Sequence, residues 1–118
     1  MDDRELLEMA AKAAAIGGGW GDKIEYHNGA VDLRDVWILE GDGFVPWNPL
    51  IDDGDALRLA FALGMSVDAG ACMIDYAVPD ADDEELETLE TLDFEHGGDI
   101  ANLRRAIVRA AAEIGRAM

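Results

Sequence analysis

Apolar residues recur at helical spacing in three stretches of the chain and alternate with polar ones in several shorter runs. In the first stretch Leu6, Met9, Ala10, Ala13 and Ile16 or Gly17 form one stripe, with Arg4, Glu8 and Lys12 on other faces and Asp2 or Asp3 placed to cap the helix. In the second, Leu57, Ala60, Phe61 and Gly64 fall at i, i+3, i+4 and i+7 and predict one apolar face. Asp52 stands as its N-cap, Asp55 as an acidic third residue, and Gly64 as a left-handed stop after Leu63. In the third, Ile100, Leu103, Ile107, Ala110 and Ile114 repeat behind Asp99 as N-cap, while Ala106, Ala110 and Ala111 are small enough for close packing on a sheet.

Between the helices the pattern shortens to period two. Ile24–His27 and Val36–Leu39 are candidate extended runs separated by the Asn28-Gly29 turn and a charged stretch. Gly41-Asp42-Gly43 then turns the chain so that Val36–Glu40 and Phe44–Trp47 can pair as a hairpin. Ser66–Asp68 reads as a short strand, Gly70 as a turn, and Cys72–Val78 as a longer strand closed by Pro79, with Cys72, Ile74, Tyr76 and Val78 on its more apolar face. Glu90–Glu95 reads as an edge strand. Gly17-Gly18-Gly19 lacks the lysine and the strand-before, helix-after setting of a phosphate loop, so it is assigned to helix termination and a flexible joint.

Pro46 and Pro49 flank Trp47-Asn48 and hold this segment as a stiff arm leading into the second helix, which makes residues 44–65 the expected organising element. The run Trp-Asn-Pro-Leu-Ile-Asp-Asp-Gly-Asp-Ala-Leu-Arg-Leu-Ala at 47–60, with Leu-Arg-Arg-Ala-Ile-Val-Arg-Ala-Ala-Ala-Glu-Ile-Gly at 103–115, resembles the small phage and prophage proteins of the phage ABA sandwich domain family. Shared with that family are a W-x-P-x-x-D-D-x-D-A-L block and a C-terminal R-A-I/L-x-R-A-A helix. The resemblance implies a short sheet between helices, and it brings no catalytic residues and no established activity. The element order points the same way: a single α/β (α+β) domain over residues 1–118, a three-layer α-β-α sandwich with helices on both faces of a short, mainly antiparallel sheet.

Half the residues are apolar, which is a globular composition, and 118 residues suffice to bury about two-thirds of the unfolded surface around one core. No apolar run reaches the roughly 18 residues of a membrane span, and the acidic start differs from a signal peptide, so a cytoplasmic location, in a host cell, is expected. Cys72 is the single cysteine, in an apolar run, and reads as a buried inert thiol. Twenty-six carboxylates against nine lysines and arginines give a net charge of −17, a field that repels nucleic acid and anionic membranes and suits a basic protein partner or simple solubility. Nine of the carboxylates lie in 80–95, a stretch with no basic residue.

The candidate chemistry is sparse. Asp52, Asp53 and Asp55 could ligate a hard cation, but the twelfth-position glutamate of a calcium loop is missing and carboxylates crowd a helix start for capping alone. Glu95, His96 and Asp99 sketch a metal or acid-base site, yet loop polarity and capping account for them. Ser66, the single serine, has no nucleophile elbow and no evident base. Trp47 is expected as a buried anchor whose indole N–H meets a backbone carbonyl, and Trp20, beside glycines, as a candidate contact residue. Arg105, Arg109 and Arg116 project from nearly one direction of the last helix and are expected to pair with the chain's own acid or with an acidic partner.

The expectation drawn from these residues is a small, acidic accessory protein of phage or prophage type, non-enzymatic, without cofactor or metal, monomeric or a small homo-oligomer, that binds an unidentified and preferably basic protein. Its candidate interaction residues are Trp20, Asp82, Asp83, Glu84, Glu85, Glu87, Arg105, Arg109 and Arg116. Two alternatives stay open: an acidic decoy that imitates nucleic-acid charge, and a divalent-metal-dependent enzyme using the aspartate or Glu95-His96-Asp99 cluster.

Overall fold

A computed structural model describes residues 2–21, 24–25, 31–32, 37–40, 45–79, 87–95 and 99–118. In chain order these form α1 (Asp3–Ala13), β1 (Gly18–Trp20), β2 (Ile24–Glu25), β3 (Val31–Asp32), β4 (Trp37–Leu39), β5 (Pro46–Trp47), α2 (Asp53–Ala62), β6 (Ser66–Asp68), β7 (Met73–Pro79), β8 (Glu87–Asp93) and α3 (Ile100–Ala117). The class is α+β, as expected. Instead of one sheet, the strands make two three-stranded antiparallel sheets, β1-β4-β5 and β6-β7-β8, and a two-stranded ladder, β2-β3.

All three helices begin at an aspartate in extended geometry whose carboxylate accepts an amide of the first turn: Asp2 from Glu5, Asp52 from Asp55, Asp99 from Ala101. Each cap satisfies donors that a helix start leaves orphaned and places negative charge at the positive end of the helix dipole. Gly64 adopts the left-handed φ of +63° after α2, as its position predicts.

The organising element is α3, rather than the 44–65 stretch. It is buried over a broad arc that includes Ala106, Ile107, Val108, Ala110, Ala111, Ala112, Ile114 and Gly115, and it contacts α1, α2, β7 and β8. The small side chains expected to sit on a sheet also serve a helix: at Gly115 a β-carbon would overlap the Met9 carbonyl oxygen of α1, so only glycine permits that crossing. Ile74 and Tyr76 turn inward from the sheet towards α3, whereas Asp75, Leu89 and Thr91 on the opposite face are exposed. Among the described residues, then, the helices that touch this sheet cover one of its faces, and the expected helix layer on each face of a single sheet is not what the contacts assemble.

Other expectations need correction. On α1 the buried residues are Leu6, Leu7, Ala10 and Ala11, because α1 turns Leu7 and Ala11 inward and leaves Met9 and Ala13 half-buried. On α2 the buried residues are Asp55, Ala56, Leu59 and Ala60, while Leu57 and Phe61 are 69% and 87% exposed. The predicted face is thus wrong by about a third of a turn: small Ala56 and Ala60 let α2 approach α3, and the bulky pair is left outside. The glycine run forms no free joint, since Gly18–Trp20 is a strand on β4 in which Gly18 has a φ of +128° and a β-carbon there would overlap the Ile38 carbonyl oxygen. Cys72 lies in the turn before β7 at a φ of +56°. It is buried, as expected, with Sγ donating to the Ala69 carbonyl at 3.6 Å.

The expected hairpin is present as β4 paired antiparallel with β5, Trp37 opposite Trp47. Ser66–Asp68 forms as expected, β7 starts one residue later than expected and includes Pro79, and the edge strand is shifted towards the N-terminus, Glu87–Asp93 in place of Glu90–Glu95. Ile24–Glu25 pairs with Val31–Asp32, a partner the pattern did not single out. The Asn28-Gly29 and Gly41-Asp42-Gly43 turns lie outside the described residues.

Candidate functional site

The aspartates behind the proline arm are held apart by separate partners. Asp52 caps α2. Asp53 takes the Arg104 guanidinium at 2.6 Å, and Arg104 also donates from Nε to the Leu50 carbonyl at 2.8 Å. Asp55, buried, accepts the Asn48 amide at 3.0 Å and Arg58 at 2.7 Å. These bonds tie the arm to α2 and to α3, which is what a carboxylate in a helix start does when its acceptor capacity is used locally. Among the described residues no group of three or more His, Cys, Asp or Glu side chains is placed to share an ion. Asp99 caps α3, Glu95 is exposed, and His96 lies outside the described residues.

Trp47 is buried, as expected, but its indole N–H donates to no carbonyl among the described residues; it is held by packing, edge-on to Trp37 with ring centroids 6.4 Å apart. Trp37 in turn meets Trp20 at 5.4 Å, and its buried Nε1 has no acceptor among the described residues. Trp20 is half-buried and heavily engaged: its Nε1 donates to Glu8 at 2.6 Å and the Arg4 guanidinium lies 4.5 Å from its ring centroid. Of the acidic candidates, Glu87 is exposed at the start of β8; Asp82, Asp83, Glu84 and Glu85 lie outside the described residues.

The three arginines do come together. Arg105, Arg109 and Arg116 line one cleft of about 410 Å³ with Glu113, above a floor of Leu6, Tyr76 and Leu92. As expected, the chain's own acid takes two of them, Arg105 with Asp3 at 2.9 Å and Arg116 with Glu113 at 3.0 Å. The acid comes from α1 and from α3 itself. The acidic 80–95 run contributes no pair to them among the described residues. Tyr76 sits where β7 faces α3, with burial, Glu113 and Glu90 all pushing its hydroxyl above the ordinary range and Arg109 opposing them.

A second surface escaped the pattern. Leu57, Ala60, Val67, Ile100, Leu103 and Ile107 line an almost wholly apolar groove of about 240 Å³ between α2, α3 and β6. Val67 and Ile100 are 41% and 51% exposed, and Phe61 continues the α2 edge one turn on. The signal was in the sequence, since Leu57 and Phe61 are the face assigned to the core; what could not be read was that this face has no cover among the described residues. The chain matches no protein-family model, no curated protein and no solved structure.

Proposed function

We propose that this chain is a small non-enzymatic protein-binding module whose partner lays a basic amphipathic helix along the groove between α2, α3 and β6. The observation that carries the reading is the side-by-side exposure of Leu57, Val67 and Ile100 on one apolar surface. Each such side chain withdrawn from water is worth about 1.5–3 kcal/mol when fully covered, and contiguous exposed patches of this kind mark contact surfaces. Charge complementarity selects the partner. The chain carries −17 overall; in the groove wall Asp53 is paired with Arg104, and Asp99, exposed beside Ile100, adds a carboxylate at the rim. A second copy would be repelled, whereas a helix with lysines flanking a leucine face would be attracted and seated. The 47–60 block supports placing such a module among phage or prophage accessory proteins acting in a host cytoplasm. That the aspartate cluster is occupied in capping and tying down the arm supports a binding role over a catalytic one.

The test is fluorescence anisotropy with a labelled leucine-lysine amphipathic peptide, its scrambled isomer, and an acidic amphipathic peptide. The expected result is saturable binding of the first alone, weakened about tenfold by Leu57→Glu, since one buried apolar contact is worth roughly that factor. Equal binding of the scrambled isomer would overturn the groove and favour the acidic decoy, in which exposed carboxylates act without a shaped surface. Preference for the acidic peptide, or self-association of the chain through this face, would overturn the choice of partner.

A further inference from the structure

In a chain with nine basic side chains among twenty-six acidic ones, three arginines lining a single cleft need an explanation, and pairing with the chain's own acid accounts for two of them. Arg109 is exposed and has no ion pair or hydrogen bond among the described residues. Beneath it, Tyr76 is only 7% exposed, lines the same cleft, and makes no side-chain hydrogen bond among the described residues. Its hydroxyl is not sealed from water and stands in the cleft as a donor open to a ligand acceptor. Tyr76 shares the lining of this cleft with Arg105, Arg109, Glu113 and Arg116. Leu6 and Leu92 supply an apolar floor.

We propose that this cleft binds a singly charged carboxylate on an apolar body, with Arg109 forking to the carboxylate, the Tyr76 hydroxyl donating to it, and Leu6 and Leu92 taking the body. Arg105 and Arg116, already fixed by Asp3 and Glu113, act as flanking positive charge. Planar two-donor recognition is what a guanidinium offers a carboxylate. The same fork accepts phosphate, but Glu113 in the wall and the net charge of −17 oppose a dianion, and the leucine floor offers it nothing. The chemistry is met by a small organic acid or by the C-terminal carboxylate of a peptide. The site lies on the α1 and β7 side of α3, with no residue in common with the groove, so it stands or falls apart from the partner reading.

The experiment is an NMR titration of the full chain with benzoate, with benzamide as the uncharged isostere, with inorganic phosphate, and with an N-acetylated dipeptide ending in phenylalanine as free acid or as amide. Benzoate is expected to give saturable shifts at the Arg109 side-chain N–H and along β7, and benzamide none. Loss of a charge-assisted bond predicts about tenfold weaker binding in Arg109→Gln, and a smaller loss in Tyr76→Phe. Arg109→Lys, which keeps the charge and loses the fork, is expected between wild type and Arg109→Gln. The free-acid peptide binding more tightly than benzoate would identify a chain terminus as the source, and benzoate binding more tightly a free organic acid; either supports the site. No saturable shift, equal response to benzamide, tighter binding of phosphate, or an unchanged affinity in Arg109→Gln would each overturn it.

Discussion

Helices α2 and α3 start in the same way and end up in opposite circumstances. Both are capped by an aspartate in extended geometry and both carry apolar residues at helical spacing. Yet α3 is enclosed over most of its circumference, and α2 hides alanines and a leucine while showing Leu57 and Phe61 to solvent. The difference teaches that caps report on the local chain, whereas the choice of buried face is made by neighbours that are distant in sequence. With Ala56 and Ala60 against α3, α2 gains close approach, and Leu57 and Phe61 become surface that the fold itself does not use.

Substitutions can break this contrast. The largest effect is expected at Leu59, 1% exposed: Leu59→Ala should cost about 2–5 kcal/mol by the range for buried leucines, read from the urea midpoint. Gly115→Ala should cost roughly 1–3 kcal/mol, because α1 must move away from α3 to admit the methyl group. Asp52→Ala and Asp99→Ala should each cost about 1 kcal/mol, equal for the two helices, since capping does not depend on how deeply the helix is buried. An unequal pair would show that burial amplifies the cap.

A smaller, pH-dependent effect sharpens the α3 side. Burial raises the Tyr76 hydroxyl above its ordinary value of 10.0, with Glu113 and Glu90 adding to the rise. A group whose folded pKa is raised contributes stability in full below its unfolded value and loses it as pH climbs through the folded one. Stability should therefore fall above about pH 10 in wild type and fall less in Tyr76→Phe, measured by urea unfolding across the alkaline range.

How far the sequence could be read follows from the same contrast. The three caps, the Gly64 stop, the β4-β5 hairpin and the burial of Trp47, Ile74 and Tyr76 were legible, because each depends on neighbours a few residues away or on strict alternation. The burial of Leu7 and Ala11, the strand formed by Gly18–Trp20, and the central position of α3 were not. They depend on which helix α1 meets and on β1 finding β4 across the sixteen residues between them, in the register Gly18 opposite Leu39 to Trp20 opposite Trp37. At the sites, the arginine stripe was visible from spacing alone, but Tyr76 beneath it belongs to another element and required the fold. Arg104, which binds the proline arm through Leu50 and Asp53, was hidden among the arginines of α3 for the same reason.

The claim that α2 has an outside face made for contact is tested most directly by unfolding the Leu57→Glu, Phe61→Glu double variant in urea beside Leu59→Ala. The account predicts a midpoint within the small range of surface changes, about 0.5 kcal/mol per site, and an unchanged slope. A loss as large as that of Leu59→Ala would contradict it, because those two side chains would then be holding the fold together.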